Sequence, residues 1–187
     1  MRLIKKIIIL FCLFVISCEL HEPLFDNSLD LESAAEKGIH PPALVFHPSK
    51  VETTVGGTVG VNVYAMKLEK VGMAQIEVNY DSNKLSVKSV TQGSLFEGGN
   101  SPFFIVEDDA SNGVLTIYIT YLGPGGNSVS GTGDIALIAF NARSMGQTEF
   151  SINQESIILD PDAKSIPLNG YGTVSYTHLT LPTNREV

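Results

Sequence analysis

Between residues 43 and 173 the apolar side chains recur at every second position. The clearest case sets Ala74, Ile76, Val78 and Tyr80 on one face and Met73, Gln75, Glu77 and Asn79 on the other. A period of two belongs to a β-strand, whose successive side chains point to opposite sides of the sheet. Strands are predicted over 43–47, 58–68, 73–80, 85–90, 103–107, 114–122, 134–142, 148–152 and 156–159, with a last one entering at Gly172. Between them stand turn signals such as Gly56-Gly57, Ser82-Asn83, Ser111-Asn112-Gly113 and Asp160-Pro161-Asp162, residues that either permit or fix the dihedrals of tight turns. Short strands punctuated this regularly predict an all-β sandwich or barrel. The span contains no amphipathic helix above ten residues. It suffices for one domain that buries roughly two-thirds of its unfolded surface.

The two ends follow different patterns. A cationic head, Arg2, Lys5 and Lys6, precedes the apolar run 7–16 and then Ser17-Cys18. That run is short of the ~20 residues a membrane-spanning helix needs and has the length of a signal-peptide core. Val15-Ile16-Ser17-Cys18 resembles the lipobox of bacterial lipoproteins, in which the cysteine after a small residue receives diacylglycerol and becomes the new N-terminus. An ordinary signal peptide with an incidental cysteine is the alternative. Cys12 lies within the segment that would be removed, so Cys18 is the only cysteine of the mature chain; no internal disulfide can form, and acylation would consume a thiol otherwise bare in an oxidising compartment. The expected layout is a lipoprotein signal peptide over 1–17, a tether over 18–42 with a weak helical pattern near 29–37, and the folded domain over 43–173, secreted and lipid-anchored to the bacterial envelope.

At the other end, residues 174–183 read VSYTHLTLPT, which resembles one translated frame of the adapter used in transposase-based sequencing libraries. On that reading 174–187 is a non-native tail, and the natural C-terminus and any further domains lie beyond what this sequence reports. A natural final strand is the alternative.

From Cys18 to Thr173 there are nineteen acids and eight bases, a formal charge of −11. No basic stripe interleaved with aromatics is present, which argues against nucleic acid as a partner. Tryptophan is absent, which weakens the case for a sugar-stacking platform and leaves the scattered Tyr64, Tyr118 and Tyr121 as its candidates. Catalysis finds few residues. The natural mature segment holds three histidines, His21, His40 and His47, and neither a Gly-x-Ser-x-Gly elbow nor a His-Glu-x-x-His helix occurs. Glu107-Asp108-Asp109 and Asp160-Pro161-Asp162 could offer oxygen ligands, but neither has the spacing and central glycine of an EF-hand loop. They read as loop acids, and no metal site or cofactor is expected on this chain.

Several ordered segments carry a family resemblance. The stretch 72–85, with a strand ending in Tyr80-Asp81, a turn through Ser82-Asn83 and a resumption at Leu85, resembles the cohesin signature. Gly113-Val114-Leu115-Thr116-Ile117 is similar to that family's glycine-led central strand, and Gly131-Thr132-Gly133 leading into 134–142, followed by the turn at Gly146, to its later strand. The resemblance implies a nine-stranded jelly-roll β-sandwich, non-catalytic, that docks a dockerin-bearing protein through one sheet face. Calcium would belong to the dockerin, and the partners would be polysaccharide-degrading proteins displayed on the envelope. Carried over by position, it makes Gln75, Glu77 and Asn79 the first contact candidates and Thr116, Tyr118 and Thr120 the second set, residues that an ordinary solvated sheet face would also show. Direct binding of polysaccharide, which the related fold permits, and a structural or adhesive envelope role are the alternatives.

Overall fold

The structure, a computed structural model, describes residues 29–98, 103–121 and 128–178. The expected signal peptide, Cys18 and residues 19–28 of the expected tether lie outside the described residues, as do 179–187. Two sheets form the expected all-β sandwich. The first holds β1 (Ala43–His47), β3 (Thr58–Val71), β5 (Leu85–Gln92), β8 (Val129–Ala142) and β11 (Gly170–Tyr171) in the order β11-β1-β3-β8-β5. The second runs β2-β12-β9-β4-β7-β6, from β2 (Lys50–Thr53), β12 (Thr173–His178), β9 (Gln147–Ile152), β4 (Met73–Asn79), β7 (Val114–Thr120) and β6 (Phe103–Asp109). The short β10 (Ile157–Leu159) adds to β4 beside β9. Crossed connections between two packed sheets make this a jelly roll.

The described residues thus hold twelve strands where the resemblance implied nine. The additions are short or disguised. β2 carries a single buried apolar residue, Val51, too little for a periodic signal. β8 starts at Val129 rather than at 134 because Gly131 and Gly133, which read as a loop, lie within the strand. There β3 is bulged, with Lys67 and Lys70 at positive φ, and the Thr132 and Ser130 hydroxyls accept from their backbone N–H groups at 3.0 and 2.8 Å. Side chains thus replace the ladder bonds that the bulges remove.

The core lies where the inner faces meet. Rings from both sheets alternate along it: Phe46 of β1 meets Phe150 of β9 at 5.2 Å, Phe150 meets Phe140 of β8 at 5.2 Å, and Phe140 meets Tyr80 at 5.5 Å. Burial of such side chains contributes about 1.5–3 kcal/mol each. Tyr80 adds a polar tie, donating its hydroxyl to Asp108 Oδ1 of β6 at 2.6 Å. Burial first, and then this bond, push its pKa well above the ordinary tyrosine value.

Folded structure begins before Ala43. Asp30 caps a short helix, α1 (Leu31–Glu36), by accepting from Glu32 N at 3.0 Å. Its Ala34 is buried against Ala43, Val45 and Met66 on the outer side of the first sheet, with Leu29, Ile39 and Tyr64 packed around them. Asn169 N donates to Pro42 O at 2.7 Å, fastening the same segment to the far end of the chain. This accounts for the unbroken apolar run Ala43-Leu44-Val45-Phe46, since β1 is covered on both faces.

At the other boundary, β12 crosses residue 173. It pairs antiparallel with β9 and parallel with β2, and Val174 and Tyr176 are fully buried. Among the described residues no helix is long and apolar enough to cross a membrane.

Candidate functional site

The outer face of the second sheet gathers all six residues singled out from the sequence. In β4 the inward set is Ala74, Ile76 and Val78 and in β7 it is Leu115, Ile117 and Ile119, so that Gln75, Glu77 and Asn79 share the outer face with Thr116, Tyr118 and Thr120. The register fixes their neighbours across β10, β4, β7 and β6. One row reads Leu159, Met73, Thr120, Phe103; the next Ile157, Gln75, Tyr118, Ile105; the third Glu77, Thr116, Glu107.

These rows differ in character. The first two line an open groove of about 350 Å³, and four of their large apolar residues are well exposed: Phe103 at 56%, Ile157 at 43%, Met73 at 42% and Ile105 at 38%. Single exposed apolar residues are ordinary, whereas a contiguous set marks a contact surface. The sequence shows Met73 on the outer face of its strand but does not reveal Phe103, Ile105 or Ile157. Each lies in an unbroken apolar run, Phe103-Phe104-Ile105-Val106 or Ile157-Ile158-Leu159, where a period of two cannot tell the inner face from the outer.

The third row is held in place. Between β9 and β10 the chain turns over Glu77: Asn153 N donates to Glu77 O at 2.8 Å, and Glu77 N donates to Ser156 Oγ at 3.0 Å. The Glu77 carboxylate accepts from Gln75 Nε2 at 3.0 Å through one oxygen and from Asn153 Nδ2 at 3.3 Å through the other. A carboxylate held by two amides is preoriented while its remaining lone pairs stay open. Glu107 lies two strands away across Thr116, a spacing of about 10 Å between backbones.

The acid clusters have local duties. Asp108 accepts from Tyr80. Asp109 accepts from the Ser111 hydroxyl and from Asn112 Nδ2, bonds that hold its carboxyl below the usual range. Asp160 Oδ1 accepts the backbone N–H groups of Asp162 and Lys164, both at 2.9 Å. Among the described residues no three His, Cys, Asp or Glu side chains converge as a metal site would require. The tyrosines do not form a sugar platform either: Tyr64 packs beneath α1 and Tyr121 against the main core, leaving Tyr118 on the outer face.

The family model described as Cohesin domain matches residues 45–170. The chain belongs to the cohesin family. Cohesin domains are non-catalytic protein-binding modules. A search of curated proteins found no match. Solved cohesins share the fold at low identity. A non-cellulosomal cohesin from the hyperthermophilic archaeon Archaeoglobus fulgidus is 20% identical with a TM-score of 0.59, over 74% of this chain and 89% of that one. The sixth cohesin of Acetivibrio cellulolyticus scaffoldin B, solved in complex with a Cel5 dockerin, is 22% identical with a TM-score of 0.59, over 73% and 98%. A type I cohesin–dockerin complex from Clostridium thermocellum matches at 17% identity and 0.59, over 73% and 94%.

Proposed function

We propose that this chain is a lipid-anchored cohesin of the bacterial cell envelope that docks a dockerin-bearing protein, a polysaccharide-degrading one, on the outer face of β10, β4, β7 and β6. The observation that carries the reading is the contiguous exposed apolar set Met73, Phe103, Ile105 and Ile157 beside the fastened Glu77, on a domain whose family binds proteins. Two of the fold relatives are themselves in complex with dockerins. Gln75, Glu77, Asn79, Thr116, Tyr118 and Thr120 are the contact residues on this reading, and Cys18 carries the lipid.

The test is a pull-down of secreted proteins from the source organism with the chain from residue 19 to 187, in calcium and then in chelator. Calcium-dependent recovery of dockerin-bearing glycoside hydrolases, lost in the Gln75→Ala, Glu77→Ala, Asn79→Ala triple variant, is the expected result. Retention of the domain by insoluble polysaccharide, with no calcium-dependent protein, overturns the reading in favour of direct sugar binding. Labelling of the full precursor by a fatty acid analogue, abolished by Cys18→Ala, checks the anchor.

A further inference from the structure

The segment ahead of the sandwich and the proposed docking face lie on opposite sides of the molecule. Ala34 of α1 is buried against Ala43, Val45 and Met66 with Leu29 packed beside it, whereas Leu44 and Phe46, the alternate residues of β1, belong to the central core. The chain is therefore fastened to the outer side of the first sheet, while Met73, Phe103, Ile105 and Glu107 are exposed on the outer side of the second. Several contacts share the fastening. Ile39 N donates to Ala34 O at 2.9 Å, and Asn169 holds Pro42 O through its N at 2.7 Å and Pro41 O through Nδ2 at 3.1 Å. Gly170 lies so close to Ile39 that a Cβ there would stand 2.7 Å from Ile39 Cγ2. Between Cys18 and Leu29 there are eleven residue steps, a span of at most about 36–40 Å.

We infer that α1 is an orienting clamp: by holding the chain on the outer side of the first sheet, it keeps the opposite face of the sandwich turned away from the membrane once a partner occupies that face. The inference rests on the lipid and docking readings above. Were the occupied face turned down, the partner, the second sheet, the first sheet and α1 would stack in that order above the headgroups. Sheets pack about 10 Å apart and a helix is about 10–12 Å across, so even a partner one helix thick would raise Leu29 by about 35 Å. Eleven residues reach that height only as a straight strand, and a thicker partner puts it out of reach. With the first sheet turned down, Leu29 lies beside the headgroups and the same residues need not be extended. Adsorption does not compete, because the formal charge of −11 from Cys18 to Thr173 is repelled by anionic headgroups. Without the clamp the free stretch would run to Ala43, twenty-five steps and about 82–90 Å, enough for either posture.

The test couples the chain from Cys18 to Val187, in which Cys18 is the single cysteine, to maleimide lipid in vesicles. Biotin is placed through a bioorthogonal side chain at Glu107, exposed on the second sheet, or at Ser89, exposed on the first, and the rate of streptavidin capture is compared with that of the same chain in solution. Streptavidin, far thicker than a helix, stands in for the partner. Capture at Glu107 is expected within twofold of the solution rate. Capture at Ser89 should be at least fivefold slower, since the domain must invert to expose it. Two variants should bring the two rates within twofold of each other: Ala34→Asp, which frees α1, and a fifteen-residue Gly-Ser insertion after Cys18, which lengthens the tether and leaves the clamp intact. Equal rates on the native tether, faster capture at Ser89, or a difference that survives either variant overturns the inference. Because the thioether replaces the natural lipid and streptavidin the natural partner, these outcomes do not depend on the pull-down or the fatty acid labelling. Failure of either of those would overturn its own reading and leave the geometry standing.

Discussion

Replacing Tyr80 by phenylalanine removes one hydroxyl and one hydrogen bond while keeping the ring that packs on Phe140. The lost bond runs at 2.6 Å to a carboxylate, a class that contributes about 1.5–3 kcal/mol. Asp108 is exposed, so water can replace the hydroxyl on its side, and the lower end, about 1.5 kcal/mol, is expected. For a domain of this size that is a fall of roughly 3–6 °C in Tm. The pH dependence gives a second check. Burial and then Asp108 raise the folded pKa of Tyr80 above its unfolded value of 10.0, so the stabilisation is complete below pH 10 and declines as the unfolded state begins to ionise. The slope reaches about 1.4 kcal/mol per pH unit for one proton. Denaturant melts of both proteins between pH 7 and 11 should therefore show a gap of about 1.5 kcal/mol that closes near pH 11, other tyrosines and lysines being common to the pair. A gap absent at pH 7, or constant from pH 9 to 11, would refute the assignment.

Two further outcomes concern the edges of the domain. Ending the chain at Thr173 deletes Val174 and Tyr176, both fully buried, and leaves β2 and one side of β9 unpaired. Side-chain burial alone forfeits about 3–5 kcal/mol, a large part of the 5–15 kcal/mol available to a domain, so the cooperative thermal transition should be lost or lowered by more than ~10 °C. An extension with apolar residues at 174 and 176 should restore it. Placing a carboxylate at the buried Ala34 with Ala34→Asp should release α1 from the sheet, removing hydrogen-exchange protection at the Ala34 and Ile39 amides that bond Asp30 O and Ala34 O; unchanged protection would show the helix is not held by that contact.

The sandwich and the two polar strand faces were legible because β4 and β7 alternate without interruption, each burying one side only. Gly113 was legible too as a turn residue. The structure gives it a φ of +66° and brings the Tyr80 carbonyl so near that a Cβ there would collide with it. The apolar part of the proposed docking face that β6 contributes was not legible, since Phe103-Phe104-Ile105-Val106 has no period and its partition between core and surface is decided by pairing with β7. Six residues of α1 present too few turns for periodicity to announce, and the clamp rests on an alanine, the least conspicuous of apolar side chains. The 174–178 string fits its slot because a strand between β2 and β9 asks only for apolar residues at alternate positions.

The N-terminal clamp also sets a leash. With Leu29 packed beside Ala34 against the first sheet, a lipid on Cys18 would be separated from the domain by at most eleven peptide steps, about 40 Å of contour; a tether running to Ala43 would have allowed more than twice that. A domain of this length has a radius of gyration near 14 Å, which makes its overall radius about 18 Å, so even on a fully extended leash its centre could rise to about 60 Å above the lipid headgroups and no further. Whatever it captured would work within a thin layer at the membrane surface, at a local concentration set by those few residues rather than by diffusion through the surrounding medium.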